Sequence, residues 1–387
     1  MNHDISSLPT PFYIVYEDKI RRNLDLIDRV RRATGAEIIM AFKANALWRT
    51  FDIFREYGFK STASSINEMR LGNDELGHRV HAYCPAYTNA TINEYIAGSS
   101  HITFNSIDQY LRFRDVINKH NATGAHYVSA GLRVNPQCSV IETDIYNPAL
   151  PGSRFGVTAE MLGGLLPDGI EGLHFHQLCE STSYDLAKVL DAFESQFADI
   201  IDRVRWVNMG GGHLMTREGY DVEHLIRLLN DFKSRHPHLH IILEPGSAFT
   251  WRTGDLITSV VDIVENQGVR TAIIDASFAC HMPDTLEMPY KPIISESVIG
   301  EDDDDRLYRY RLGGNSCLSG DFVGDWFFAA PLKAGDRLTL EDMNHYTTVK
   351  TSMFNGISHP SIALLHENGE LEWLRRYTYE DYRDRMD

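Results

Sequence analysis

The sequence has little of what secreted, membrane-bound or metal-stapled proteins need. Only five cysteines occur in 387 residues, and none forms a C-x-x-C pair. This usage predicts reduced thiols in a cytoplasmic protein, and argues against a disulfide framework or a zinc site. No apolar run approaches the ~20 residues of a membrane span, so we expect no membrane association. The N-terminal residues lack the basic and apolar segments of a secretory signal, and we expect none.

Positive charge is also scarce. The chain has 37 Lys and Arg against 54 Asp and Glu, a formal net charge of −17. This balance argues against a nucleic-acid partner and mildly favours a cationic ligand, although ordinary solubility is the simpler explanation. The acidic run at residues 301–305 predicts a solvated loop. A hydrophobic content of 43% at this length predicts a globular protein with enough core for two domains.

The chain is organised around a buried strand that ends in a lysine. Residues 38–42 form a continuous apolar run, typical of a parallel strand covered on both faces, and Lys43 follows directly. Further strands alternating with helices are predicted at residues 59–64, 79–84, 101–104, 126–134, 170–176, 205–209 and 239–244. Eight β/α units over about 230 residues predict a TIM-like (β/α)8 barrel, with a doubly wound sheet as the alternative.

Beyond residue 251 the pattern changes to strands with few helices. These strands are predicted at residues 256–264, 270–275, 306–312, 337–340 and 362–366, with turn signals between them. An apolar strand at residues 12–16 has no place in the barrel and could pair with them. We therefore predict a barrel domain over residues 17–250, and a mostly antiparallel β-domain over residues 1–16 and 251–387.

Residues at the carboxyl ends of the barrel strands are the candidates for chemistry, because active sites of this fold lie there. A lysine at the end of a buried strand loses hydration, which lowers its pKa and favours the neutral amine that condenses with aldehydes. The bare amides of residues 210–212 could hold a phosphate. Glu244 could hydrogen-bond a protonated ring nitrogen, and His176 could lie flat on a planar cofactor. The plain alternatives are a solvated lysine, a flexible loop and a carboxylate paired with an arginine.

His174 and His176 have a second interpretation, as the metal pair of a metal-dependent barrel hydrolase. Such a hydrolase should carry this pair on its first strand and further His and Asp ligands on later ones. Here the pair ends the sixth strand, and the next two strands supply glycines and a glutamate. We therefore expect no metal. Together, the lysine, the glycine loop, His176 and Glu244 predict a site for pyridoxal 5'-phosphate.

At this point the chain resembles a known family, the fold-type III pyridoxal phosphate decarboxylases related to ornithine and diaminopimelate decarboxylases. The resemblance spans nearly the whole chain and implies an alanine racemase-like fold, a barrel plus a β-domain. It is carried by residues 41–45, 175–176, 210–212, 244–246, 314–321, 346 and 354–356. Within the family, residues 172–180 and 277–290 are similar to the carboxynorspermidine (carboxyspermidine) decarboxylases.

The resemblance also implies a role for each matching residue. The cofactor would be bound by Lys43, Arg133, His176, Gly210, Gly211, Gly212, Glu244, Gly246 and Tyr346, with Lys43 as its covalent attachment, Arg133 near the ring hydroxyl and Tyr346 at the phosphate. Cys317 would return a proton to the substrate and Asp321 would bind a substrate amine, both across the interface of a homodimer with shared active sites. Glu180, Ser247 and Asp284 complete the predicted substrate-binding set.

Two departures from the family pattern concern the phosphate. Relatives have His-x-Gly-Ser where this chain has His176-Gln177-Leu178-Cys179, so a serine contact is missing. Ser247 stands where ornithine decarboxylases carry an arginine. The resemblance therefore leaves the cationic partner of the phosphate open.

The implied activity is decarboxylation of carboxynorspermidine or carboxyspermidine, small cationic triamines, to norspermidine or spermidine in polyamine biosynthesis. A diaminopimelate or ornithine decarboxylase would share the cofactor residues and differ in the distal pocket. An alanine racemase would need a tyrosine base in place of Cys317. A non-enzymatic pyridoxal phosphate-binding protein would be a lone barrel, without the β-domain. The sequence does not separate the two carboxylated triamines.

Overall fold

The structure is a computed structural model that describes residues 5–141, 143–301 and 306–387. Residues 1–4, for which no secretory signal is expected, and residues 302–305 of the acidic run lie outside this description. The chain divides into two compact units. One comprises the residues up to Arg22 together with Thr250–Asp387, and the other comprises Asn23–Phe249. Among the described helices, none is both long enough and apolar enough to cross a membrane.

The strands and helices follow one another in a β/α order until about residue 250. The strands are β1 (Phe12–Tyr16), β2 (Glu37–Ile38), β3 (Met40–Ala41), β4 (Ser61–Ala63), β5 (Val80–Tyr83), β6 (Ser99–Phe104), β7 (Ser129–Arg133), β8 (Gly172–His174), β9 (Trp206–Asn208), β10 (His240–Leu243), β11 (Gly254–Asn266), β12 (Val269–Ile274), β13 (Tyr308–Gly313), β14 (Asp325–Phe328), β15 (Arg337–Leu340), β16 (Ser361–Leu365) and β17 (Leu371–Arg375). The helices are α1 (Glu17–Thr34), α2 (Phe51–Glu56), α3 (Ile66–Leu71), α4 (Ile92–Gly98), α5 (Ile107–Thr123), α6 (Ala159–Leu162), α7 (Ser183–Ile201), α8 (Val222–Arg235), α9 (Ser247–Thr250), α10 (Phe278–His281), α11 (Asp284–Glu287) and α12 (Tyr379–Arg383).

The unit 23–249 is a parallel barrel that closes through the lysine strand. Its strand order is β2-β10-β9-β8-β7-β6-β5-β4-β3. β2 and β3 are one strand position interrupted at Ile39, since β2 pairs with β10 while β3 pairs with β4. The backbone N–H of Ile39 donates to Leu243 and that of Met40 to Lys60, which carries the strand from one neighbour to the other. The predicted eight-position barrel is therefore confirmed.

The outer helices of the barrel form because their apolar residues recur at helical spacing. In α7 the buried residues include Leu186, Val189, Leu190 and Phe193, which lie on one face of the helix. Thr182 caps this helix in a reciprocal capping box with Asp185. The helices that pack on the barrel hold its strands in place, and the strand ends in turn position the side chains of the candidate site.

The other unit is a mostly antiparallel sheet that includes the N-terminal strand. Its order is β14-β13-β12-β11-β1-β16-β17, with β15 on β11. β1 pairs antiparallel with β11 and parallel with β16, so the prediction that it joins the C-terminal strands is confirmed. Phe12, Ile14, Ile257 and Ala363 form a buried cluster across these strands. β14 and β17 were not predicted.

Candidate active site

Lys43 follows β3 at the carboxyl end of the first barrel strand. Its side chain remains accessible to solvent, but enough protein surrounds the ammonium that lost hydration lowers its pKa. The nearby carboxylates of Glu244 and Glu68 oppose this shift, whereas the Arg133 guanidinium adds to it. The position therefore shifts Lys43 towards the neutral, nucleophilic form of its amine.

Glu244 follows β10 and is held by its neighbour on β9. The side-chain amide of Asn208 donates to Oε1 of Glu244 at 2.7 Å, and the side-chain oxygen of Asn208 accepts from the N–H of Gly210 at 2.8 Å. Burial raises the pKa of the Glu244 carboxyl, while the Asn208 hydrogen bond and the charge of Lys43 oppose the rise. Asn208 was not predicted as a site residue, although a polar side chain ending a barrel strand was the signal available.

The glycine loop after β9 lies against backbone on several sides. A Cβ on Gly210, Gly211 or Gly212 would come within 2.5 Å or less of the carbonyl oxygen of Phe175, Glu244 or Leu178 respectively. Only glycine allows so close an approach.

The three glycine amides of this loop differ in their hydrogen bonds. The N–H of Gly211 donates to Nδ1 of His176 at 2.8 Å, and that of Gly210 goes to Asn208. Two of the three glycine amides are thus engaged within the chain. The N–H of Gly212 has no acceptor in the part of the chain that the structure describes.

The two histidines of strand six have different neighbours. His176 is fixed by Gly211, whereas Nε2 of His174 lies 3.9 Å from Oε2 of Glu244. Burial lowers the pKa of both imidazoles well below the ordinary value, and so favours their neutral forms. His176 therefore presents a neutral ring held in one orientation.

Arg133, at the end of β7, is buried. Nη1 donates to the Tyr83 hydroxyl at 2.6 Å, and the guanidinium lies over the rings of Tyr83 and Phe155, at 4.8 and 4.5 Å from their centroids. Nη2 donates to the backbone carbonyl of His176 at 3.4 Å. Arg133 thus packs under the His176 segment. Tyr83 is a second site residue that the sequence did not single out.

The unit formed by residues up to 22 and from 250 carries the remaining candidates. Cys317 is exposed, and its N–H donates to Oδ1 of Asn355 at 2.8 Å. Asp321 is only 3% exposed. Asp284 pairs with Nζ of Lys350 at 2.7 Å. Both carboxylates that were expected to meet substrate amines from this unit are therefore already engaged.

The predicted set divides between the two units. The barrel brings together Lys43, Arg133, His176, Gly210, Gly211, Gly212, Glu244 and, after the strand ends, Glu180, Gly246 and Ser247. The other unit holds Cys317, Asp284, Asp321 and Tyr346. Glu180 is exposed and Ser247 begins α9. Glu180 and Tyr346 have positive φ angles of 47° and 52°, which are unusual for non-glycine residues and common at functional sites.

Residues 14–344 match the family described as pyridoxal-dependent decarboxylase, C-terminal sheet domain. The chain belongs to the pyridoxal-dependent decarboxylase family. The cofactor of this decarboxylase is pyridoxal phosphate, and the predicted resemblance to fold-type III decarboxylases is confirmed.

Three similar proteins show how specific the resemblance is. The chain is 45% identical to carboxyaminopropylagmatine decarboxylase of a Synechocystis species, over 100% of this chain and 97% of the relative. It is 38% identical to carboxynorspermidine/carboxyspermidine decarboxylase of Campylobacter jejuni, over 97% and 98%. The crystal structure of C. jejuni carboxynorspermidine decarboxylase with norspermidine superposes with a TM-score of 0.88, at 37% identity and over 98% and 100% of the two chains.

The barrel residues of this decarboxylase fit pyridoxal phosphate. Lys43 offers an amine of lowered pKa for the aldehyde, and Glu244 offers a fixed carboxylate for the ring nitrogen. The N–H of Gly212, beside backbone that excludes any Cβ, is a donor without an acceptor among the described residues. This donor set has the chemistry that an aldehyde, a basic ring nitrogen and a phosphate require.

Replacing Gly212 by alanine tests whether the cofactor needs the close packing of this loop, as distinct from the positive φ of a glycine. In Gly212→Ala the new Cβ would lie 2.2 Å from the Leu178 carbonyl oxygen at a φ of +87°, so we expect the loop to shift and cofactor to be lost on dialysis. Gly219→Ala is the matched control, because its φ is +79° but nothing lies within 4 Å of the Cβ. It should pay only the backbone cost of roughly 1–2 kcal/mol and retain the cofactor. Equal retention by both variants would remove this loop from the cofactor site.

Proposed function

We propose that the protein decarboxylates carboxynorspermidine or carboxyspermidine, releasing norspermidine or spermidine in polyamine biosynthesis. The observation that carries the proposal is the barrel constellation of Lys43, Glu244 and His176 in a family of decarboxylases. The substrate class is supported by the C. jejuni relative and by the norspermidine-bound structure that this chain resembles. We also propose a cytoplasmic location, supported by five cysteines that are all free.

The barrel residues would bind and orient the cofactor. Bound pyridoxal phosphate supplies an electron-accepting ring for the electron pair that loss of CO2 leaves on the α-carbon of the substrate. The Lys43 amine, whose pKa is lowered by burial, is suited to attach the cofactor through its aldehyde. Glu244, oriented by Asn208, would hold the proton on the ring nitrogen. His176, oriented by Gly211, would lie against the ring, and Gly212 would donate to the phosphate, with Arg133, Gly246 and Tyr346 near the cofactor.

The proton that replaces the carboxylate would come from Cys317. A thiol is a suitable general acid if it is held at the α-carbon. Cys317 is exposed on its own chain, as a residue reaching a neighbouring molecule must be. We propose that it enters the barrel of a second copy, so that a homodimer carries two shared sites.

Carboxylates near the distal end of the site would bind the amines of the substrate. Glu180 is exposed after strand six, and Ser247 could add a hydroxyl contact. Asp284 could serve as well, but it would first have to exchange Lys350 for the substrate. Because a substrate ammonium would replace the Lys350 ammonium, the net charge beside Asp284 would not change.

A second candidate substrate is carboxyaminopropylagmatine. The 45% identity to the Synechocystis enzyme favours it. It shares the reacting amino-acid end and differs at the distal end, where a guanidinium replaces an amine. A guanidinium donates in a planar fork that suits bidentate carboxylate contacts, whereas an ammonium is a point charge.

Steady-state kinetics on the three carboxylated polyamines tests the proposal. We expect kcat/KM for the preferred one to exceed that for diaminopimelate or ornithine by at least about tenfold, since at least one charge-assisted contact of roughly 1.5–3 kcal/mol is lost with the shorter substrates. Preference for carboxyaminopropylagmatine over both triamines would select the second candidate. Preference for diaminopimelate or ornithine would overturn the polyamine assignment.

A further inference from the structure

We infer that Asp321 is a positioning residue that holds the loop carrying Cys317, and is not a ligand of the substrate amines. The loop comprises residues 314–321, and Asp321 closes it. The expected effect of Asp321 on catalysis rests on the proposed role of Cys317. The claim that Asp321 holds the loop rests only on hydrogen bonds within one unit of the chain.

The Asp321 carboxylate joins two segments that are far apart in sequence. Its Oδ2 accepts from the hydroxyl of Ser277 at 2.8 Å and from the hydroxyl and N–H of Ser316 at 2.6 and 3.2 Å. Its Oδ1 accepts from the N–H of Ala279 at 2.9 Å. Ser277 and Ala279 belong to the start of α10, whereas Ser316 immediately precedes Cys317. The carboxylate thus ties the Cys317 loop to a helix in the core of the same unit.

The backbone of the loop is closed around this carboxylate. The N–H of Gly314 donates to the Asp321 carbonyl at 2.7 Å, and the N–H of Asp321 donates to Leu318 at 3.0 Å. A Cβ on Gly314 would lie 2.2 Å from Oδ2 of Asp321, so a glycine is needed for the closure. On its other side, Asn355 holds the N–H of Cys317. The thiol therefore sits on a short loop whose two flanks are both fixed.

The same contacts leave Asp321 poorly placed to bind a substrate. It is 3% exposed, and Ser277 beside it is fully buried. Four donors already surround a carboxylate that offers about four lone-pair sites. Removing the Asp321 carboxylate would leave buried hydrogen-bond donors without an acceptor, which destabilises the loop. A loss of activity on substitution of Asp321 would therefore not require that Asp321 contacts the substrate.

Kinetics and hydrogen exchange on the holoenzyme test the inference. Asp321→Asn replaces one acceptor oxygen by an NH2 group, and should speed amide exchange in residues 314–322 without changing exchange in residues 38–45. We expect kcat to fall about tenfold or more, as for the loss of hydrogen bonds to a charged group, while KM changes less than about twofold. Ser316→Ala and Ser277→Ala should act in the same direction and more weakly.

The matched control is Thr158→Ala, which removes the cap of α6, a four-residue helix like α10. Ser277→Ala removes a helix cap as well as a hydrogen bond to Asp321. Thr158→Ala removes only a cap, so it should leave kcat unchanged and shows how much of the Ser277→Ala effect comes from the cap alone. Unchanged exchange in residues 314–322, or a raised KM with kcat intact, would overturn the inference and return Asp321 to the substrate. Faster exchange with kcat intact would support the anchor and overturn the role of Cys317 in the proposed function.

Discussion

Lys43→Ala should abolish both turnover and the covalent attachment of the cofactor. The lowered pKa of Lys43 makes it the amine best suited to condense with an aldehyde, and alanine supplies no nucleophile. We expect a loss on the order of 10³-fold or more, the scale seen when a covalent nucleophile is removed. Borohydride reduction of the wild-type holoenzyme, followed by peptide mass analysis, should place the cofactor on Lys43.

Lys43→Arg makes the test sharper. Arginine keeps the positive charge and is at least as long as lysine, but it cannot deprotonate in proteins. It should therefore be as inactive as Lys43→Ala, which separates the need for a neutral amine from the need for a charge. Lys188→Ala is the control, since this largely exposed lysine pairs with Asp185 on α7. Appreciable turnover in Lys43→Ala, or cofactor attached to another lysine, would contradict the assignment.

Mixing two inactive homodimers should restore activity if sites are shared. Lys43→Ala damages the barrel, and Cys317→Ala damages the loop that we propose enters the barrel of the partner. In a heterodimer one site carries both lesions and the other carries none. Equal mixing with free exchange makes half of the dimers hetero, so activity should recover to about a quarter of wild type under two-fold symmetry.

The control mixture combines Lys43→Ala with Glu244→Ala. These residues belong to the same barrel, so every site in the heterodimer keeps one lesion and activity should stay absent. Native mass spectrometry can establish that subunits have exchanged. A Lys43/Cys317 mixture that remains inactive after proven exchange would mean that Cys317 serves its own chain or has no part in catalysis.

The sequence was informative where a local pattern decides the structure. The apolar run before Lys43 predicted a strand and the lysine at its end, because burial on both faces requires continuous apolar residues. The break at Ile39, where the strand changes neighbours, was not predictable, because Ile39 lies within the same continuous apolar run. Strand β17 was not predicted, although the turn signal Asn368-Gly369 precedes it, since Glu372 and Arg375 interrupt the apolar residues.

Partners across long sequence distances were harder to predict. The family resemblance assigned Asp321 to a substrate amine. Its buried hydrogen-bond partners at residues 277 and 279 are brought to it by tertiary packing, and no spacing in the sequence indicates these contacts. Asn208 was also missed: its position at a strand end was visible in the sequence, but its hydrogen bond to Glu244 on the next strand was not.

The central place of β1 in its sheet has a consequence for synthesis on the ribosome. Phe12 pairs with Ile257 on one side and with Ser361 on the other, so both neighbours of β1 are translated long after it. At roughly 5–20 residues per second this apolar strand waits on the order of tens of seconds for its second neighbour. An unpaired apolar strand is prone to associate with other chains. Newly made chains should therefore depend on chaperones until residues 361–365 emerge.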